Sequence, residues 1–111
     1  MQVDKEKLQK ARDYGKTKEI TVTVVIPCYN EEPNIEKVLE NVESVQIADE
    51  IIIVDDGSTD GSREILQKIE AENRPNVRII YHAQNKGKGA ALVTGFQAAT
   101  SDVLLIQDAD F

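Results

Sequence analysis

Apolar residues fall in short, nearly continuous blocks separated by stretches in which they recur every three or four positions. Thr21–Pro27 (TVTVVIP) is dominated by β-branched residues and reads as a buried strand. Asn30 stands where a helix cap belongs, with Glu31 and Glu32 in the first turn, and Ile35, Val38, Leu39 and Val42 then follow at helical spacing. Glu50–Val54 (EIIIV) is a second strand that stops at Asp55-Asp56-Gly57-Ser58. Asp60 or Ser58 can cap the next helix, whose Ile65, Leu66 and Ile69 share one face. Val77–Tyr81 is a third strand, and Gly87–Gly89 leads into a helix through Ala90, Ala91, Leu92 and Phe96. Val103–Ile106 is a fourth strand, followed at once by Gln107-Asp108-Ala109-Asp110.

The order is βαβαβαβ. Aliphatic strands alternating with helices predict an α/β fold, Rossmann-like and three-layered, with a mostly parallel sheet covered on both faces by right-handed crossovers.

Composition narrows the functional classes. The 111 residues suit one small domain, and no apolar run approaches the ~20 residues of a bilayer crossing. Met1 is followed by charged residues rather than an apolar segment, which argues against a secretory signal. Cys28 is the single cysteine, so no internal disulfide forms and a cytoplasmic setting is expected. Twenty acids against 13 bases give a net charge of −7, which disfavours nucleic acid as a partner. Residues 1–19 hold six bases and four acids, a local balance of +2, so the remainder carries −9. The first 19 residues therefore read as a polar extension, with the compact domain starting at Ile20.

The chemistry-bearing residues all follow strands. They are Pro27-Cys28-Tyr29-Asn30-Glu31, Asp55-Asp56-Gly57-Ser58, Asn85-Lys86-Gly87-Lys88-Gly89 and Asp108-Ala109-Asp110. In a parallel sheet these strand ends share one edge, where ligands bind at the topological switch point. Asp108 and Asp110, one residue apart past a buried strand, can both reach one hard divalent cation, Mg²⁺ or Mn²⁺, whose other positions go to water and phosphate oxygens. Such a cation reconciles an acidic edge with a nucleotide diphosphate. One of the Asp55-Asp56 pair can accept hydrogen bonds from a ribose hydroxyl or a base N–H. The Asn85–Gly89 run either cradles an anion at its helix start or simply lets the chain turn tightly. Tyr29 either stacks on a base or packs at the junction, and Glu31 either meets the ligand or favours the helix start. His82 and Cys28 make no metal-ligand spacing and receive no role, and no catalytic base is identified.

Together, IPCYNEE, IIIVDDGSTDGS, NKGKGAAL and IQDAD resemble, in order and spacing, the amino-terminal half of family 2 glycosyltransferases with the GT-A fold. The resemblance runs from Val22 to the end and is nearest to the polyprenyl-phosphate branch, the dolichyl-phosphate mannosyl- and glucosyltransferases. Val93 departs from it, standing where that branch often has a basic residue. The resemblance implies inverting transfer of a sugar from a nucleotide-diphospho-sugar, a UDP- or GDP-sugar, to an acceptor such as a polyprenyl phosphate. By the same resemblance Pro27, Tyr29, Glu31, Val54 and Asp56 hold the nucleoside. Asp108, Ala109 and Asp110 meet the donor phosphates and sugar, with Asp108 and Asp110 around Mg²⁺ or Mn²⁺. The chain ends at Phe111, just past the aspartate motif, and so reads as a donor-binding half, truncated before its acceptor half, from a longer parent working at the cytoplasmic face of a membrane. The outer edge of the last strand, left open to pairing, predicts self-association.

Two other classes fit less well. A sugar-nucleotide pyrophosphorylase needs a glycine-rich basic loop after the first strand, which this chain lacks. A nucleotide- or metal-binding α/β module without catalytic activity of its own is the second alternative; a receiver-like version would carry its acid pair after the first strand rather than the second.

Overall fold

The computed structural model describes residues 4–10 and 20–110, so most of the expected polar extension (1–3 and 11–19) and Phe111 lie outside the described residues. Four strands and three main helices follow one another as β1 (Val22–Cys28), α1 (Ile35–Val45), β2 (Glu50–Asp55), α2 (Ser62–Ala71), β3 (Val77–Tyr81), α3 (Lys88–Ala98) and β4 (Val103–Ile106). The strand order is β3-β2-β1-β4, with every neighbouring pair parallel. The expected βαβαβαβ order and parallel sheet are what the chain adopts.

β1 is buried over all seven residues, as befits a central strand covered on both faces. One face carries Val22, Val24 and Ile26 of β1 with Ile51 and Ile53 of β2, packed against Ile35, Val38, Leu39 and Val42 of α1 and Leu66 and Ile69 of α2. These helical positions are the ones the spacing marks as apolar stripes. Leu8, in a short helical stretch at residues 5–10, is also buried in this cluster.

The opposite face is thinner. Ile52 and Val54 of β2 form a small buried cluster with Ala91 of α3. A Cβ at Gly95 would overlap the Val25 side chain, so a glycine there lets α3 lie close on the sheet. Leu104 and Ile106 pair in register with Thr23 and Val25 and so share their face, where both remain substantially exposed on the edge strand β4.

The capping expectations divide. Asp60 does serve the start of α2, its Oδ1 accepting the Ser62 N–H at 2.9 Å. Asn30 does not cap α1, which begins five residues later at Ile35. It sits instead at φ 52°, and its Oδ1 accepts the Thr59 and Asp60 N–H groups. Ser58 likewise accepts the Asn30 N–H rather than capping α2. The Asn30 side chain is thus spent on fastening the β1 loop to the β2 loop.

Candidate functional site

The strand order puts β2 and β3 on one side of β1 and β4 on the other, so the direction in which strands are added to the sheet reverses at β1. That is the switch point at which strand-end loops separate and leave a crevice. Register sharpens it. β4 ends at Ile106, opposite Val25, while β1 continues to Cys28. Residues 107–110 therefore leave the ladder alongside the last residues of β1.

A cavity of about 240 Å³ opens there. Pro27, Cys28, Tyr29 and Glu31 line it from the end of β1, Asp56 from β2, Asn85, Lys88 and Ala91 from the start of α3, and Asp108, Ala109 and Asp110 from the end of β4. Seven of the eight residues singled out in the sequence are brought together: Pro27, Tyr29, Glu31, Asp56, Asp108, Ala109 and Asp110. The eighth, Val54, does not line the cavity; it is fully buried and shares a small apolar cluster with Ala91 in the cavity wall. A larger cavity, about 350 Å³, lies at the other edge of the sheet between Thr21, Glu50 and Arg78. Of its carboxylates, Glu50 is engaged by Thr23, Thr100 and Arg78 and Asp49 by the Val22 N–H, and the cavity lies at the amino ends of the strands, opposite the edge that carries Asp56 and Asp108.

Adjacent residues of a strand face opposite ways, and this separates the two neighbouring acids. Asp55 is fully buried beneath the loop, where its Oδ2 accepts Arg63 Nε at 3.1 Å and Nη2 at 3.0 Å. Asp56 turns toward the cavity. Its Oδ1 accepts from His82 Nδ1 at 2.8 Å and from the Lys86 N–H at 2.9 Å, and its Oδ2 accepts the Gly87 N–H at 2.9 Å. Burial by itself would push this carboxyl up, but the bonds from His82, Lys86 and Gly87 outweigh it and hold Asp56 below the usual carboxylate range. A carboxylate so held is an ionised, fixed acceptor.

The turn that delivers these amides needs glycine. Gly87, at φ 99°, is the residue that precedes the first turn of α3, while Gly57, at φ 73°, lies where a Cβ would come within 2.5 Å of the Gln84 and Asn85 backbone. The Asp55–Ser58 and Gln84–Gly87 loops are thereby packed backbone to backbone.

Lys88, the first residue of α3, donates from Nζ to the Asp108 carboxylate, and Asp110 adds to the negative field around the ammonium. The hydrogen bond to Asp108 is the main reason the Lys88 ammonium is held above its ordinary pKa. A cation is therefore already accommodated beside the Asp108-Ala109-Asp110 turn. Hard carboxylate oxygens suit Mg²⁺ or Mn²⁺, and such ions commonly take one or two protein carboxylates and leave the rest of their shell to water and phosphate. Among the described residues no group of three or more His, Cys, Asp or Glu side chains is placed to hold a metal ion.

His82 is the residue the sequence reading passed over. It is buried, and its ring links Asp56 through Nδ1 to Thr94 Oγ1 through Nε2, the latter at 2.8 Å. Its position immediately after β3, level with the acidic ends of the other strands, is the one signal the sequence carries for it.

With this geometry established, likeness to known proteins is informative. Glycosyl transferase family 2 matches residues 23–111. An undecaprenyl-phosphate 4-deoxy-4-formamido-L-arabinose transferase of Pseudomonas fluorescens (strain SBW25) is 39% identical over 93 residues, covering 80% of this chain and 27% of that protein. The enzyme of the same name from Salmonella choleraesuis (strain SC-B67) is 36% identical over 93 residues, covering 80% and 28%. The chain thus spans little more than a quarter of these curated relatives. Among solved structures, the mannosyltransferase PcManGT from Pyrobaculum calidifontis, in complex with GDP-Man and Mn²⁺, superposes with a TM-score of 0.74 at 27% identity, covering 96% of this chain and 38% of that one. Glucosyl-3-phosphoglycerate synthase from Mycobacterium tuberculosis, in complex with Mn²⁺, uridine-diphosphate and phosphoglyceric acid, gives 0.72 at 27% identity, covering 93% and 37%.

Proposed function

Because the chain belongs to glycosyl transferase family 2, we propose that its β1/β4 cavity binds the nucleotide-diphospho-sugar donor of an inverting sugar transfer. One observation carries this reading: the ends of β1, β2 and β4 and the start of α3 converge on a single crevice that holds the fixed Asp56 carboxylate and both acids of Asp108-Ala109-Asp110.

The residues divide by chemistry. Tyr29 is 44% exposed at the rim and offers a ring face to a base, while Pro27 supplies a buried apolar wall. Asp56 and Glu31 are the acceptors for base or ribose hydrogens. Asp108 and Asp110 would hold Mg²⁺ or Mn²⁺ at the donor diphosphate, and such an ion supplies neutralisation of charge on the leaving diphosphate. Lys88 stands beside them as a further cation for the same phosphates. Divalent metal use is supported by the Mn²⁺ in the structural neighbours, and a UDP- or GDP-sugar by the nucleotides bound there.

A polyprenyl-phosphate acceptor, presented at the cytoplasmic face of a membrane, belongs to the same proposal and is supported by the undecaprenyl-phosphate of the relatives' names. No helix among the described residues is long and apolar enough to cross a membrane. Exposed Leu104 and Ile106 on the edge strand β4 support self-association through that edge. Gel filtration from 10 to 200 μM would show it as a concentration-dependent rise in apparent mass.

Calorimetry with UDP and GDP, each with and without Mn²⁺, tests the central reading. Metal-dependent nucleotide binding, lost in Asp110→Ala with the fold intact by circular dichroism, is the expected result. Metal binding without nucleotide binding would instead favour a metal-binding module.

A further inference from the structure

His82 is buried at the centre of a hydrogen-bonded chain that joins three segments. It links Thr94 in α3, Asp56 at the end of β2, and through Asp56 the Lys86–Gly87 turn that opens α3. Its partners lie 26 residues before it and 12 residues after it.

Donor and acceptor roles follow by elimination. An ionised carboxylate only accepts, so His82 Nδ1 carries the proton and donates to Asp56 Oδ1. In the neutral ring Nε2 is then an acceptor, and the Thr94 hydroxyl donates to it. Asp56 thereby selects the tautomer, and the Thr94 hydroxyl, able to donate or accept, completes it by donating to the bare Nε2 and fixing the ring in place. Two of the three bonds to the Asp56 carboxylate end on Oδ1, which leaves Oδ2, with its single bond from Gly87, the oxygen with more spare acceptor capacity.

We propose that His82 and Thr94 are positioning residues of the donor cavity. Together they orient the Asp56 carboxylate and, through it, hold the Lys86–Gly87 turn that places Lys88 beside Asp108. This inference rests on the donor-binding reading for its functional consequence, but not for its geometry. A histidine that merely filled space in the core would not depend on which ring nitrogen keeps its hydrogen.

The test exploits the fact that His82 is the only histidine in the chain, so its ring ¹⁵N signals need no assignment. Long-range ¹H–¹⁵N spectra at pH 7 are expected to show the Nδ1–H tautomer in the wild type, and a downfield shift of the unprotonated Nε2, left without its donor, in Thr94→Val but not in Thr94→Ser. A dominant Nε2–H tautomer in the wild type overturns the proposal. This readout uses no nucleotide, so it stands even where the wild type binds neither UDP nor GDP, a result that would count against the donor reading alone.

Side-chain replacement gives the second readout. Asn places an amide N–H near the Nδ1 position and Gln places one near Nε2. His82→Asn is expected to keep Mn²⁺-dependent UDP or GDP affinity within about threefold. His82→Gln is expected to lose about tenfold, the usual scale for a lost bond to a charged group. Both carry an uncharged amide, and thermal melting shows whether each is folded. Equal affinity in the two folded variants would overturn the proposal.

Discussion

The Lys88 ammonium rests on the Asp108 carboxylate at the mouth of the same cavity that Asp110 lines. Lys88 is 57% exposed and Asp108 21%, so the pair is solvated and contributes less than ~1 kcal/mol. A divalent ion can therefore displace the ammonium at small cost, and Lys88, tethered at the start of α3, stays within reach of a phosphate. Lys88→Met is expected to raise Mn²⁺ affinity in the absence of nucleotide by up to about fivefold. Titration followed by Mn²⁺ electron paramagnetic resonance checks this; unchanged or weaker binding would mean that ammonium and metal do not compete.

Arg63 holds the other acid of the pair. It donates to Asp55 Oδ2 through Nε and Nη2, donates from Nη2 to the His82 carbonyl at 2.6 Å, and lies 5.3 Å from the centre of the Tyr81 ring. Asp55 is fully buried, so removing its cation leaves a charge without compensation. Arg63→Ala is expected to cost about 3 kcal/mol in urea denaturation, the low end of the range because Arg63 itself is a third exposed. A loss under ~1 kcal/mol would show that the pair behaves as a surface contact.

Asp56 makes stability depend on acid. Its carboxyl is held below the ordinary range in the fold, so the unfolded chain takes up the proton first as pH falls. The stabilisation is complete above the unfolded value near ~4 and is lost as pH drops through the lower folded value. Asp60 and Glu50 act in the same window, since in each the hydrogen bonds outweigh the upward push of burial. The urea midpoint should stay level from about pH 7 to 5 and fall below ~4. Asp56→Asn should be the less stable protein at pH 7, and its deficit should shrink as the pH drops. A constant deficit across the range would assign its effect to packing alone.

Cys28 lines the cavity yet should be inert. Burial, reinforced by the negative charge of Asp55, pushes its thiol up to about 12 against the opposing bond with Ser62. At pH 8 about one molecule in ten thousand then carries a thiolate, the species that reacts. A disulfide reagent should leave the native protein unlabelled for hours and modify one thiol promptly in denaturant. Rapid labelling of the folded chain would place Cys28 on an accessible surface.

The sequence alone was enough for the βαβαβαβ order and for the edge where the chemistry gathers. Strands covered on both faces must be apolar without interruption, helices covered on one face must repeat every three or four residues, and parallel strands end on a common edge. Asp108 and Asp110 could be picked out as cavity residues because their pattern is local: two carboxylates one residue apart, past a buried strand. What needed the third dimension was every choice between equivalent neighbours. Asp55 and Asp56 are chemically alike, and only Arg63, eight residues on, and His82, 26 residues on, decide which is sealed beneath the loop and which faces the cavity. Asn30 looks like a helix cap until Thr59 and Asp60, brought alongside by the β1–β2 pairing, claim its oxygen. His82 had no partner in sequence because its partners are supplied by β2 and α3. The physical reason is common to all three: backbone periodicity is set by near neighbours, whereas a buried polar group takes whichever donor or acceptor the packed chain delivers to it.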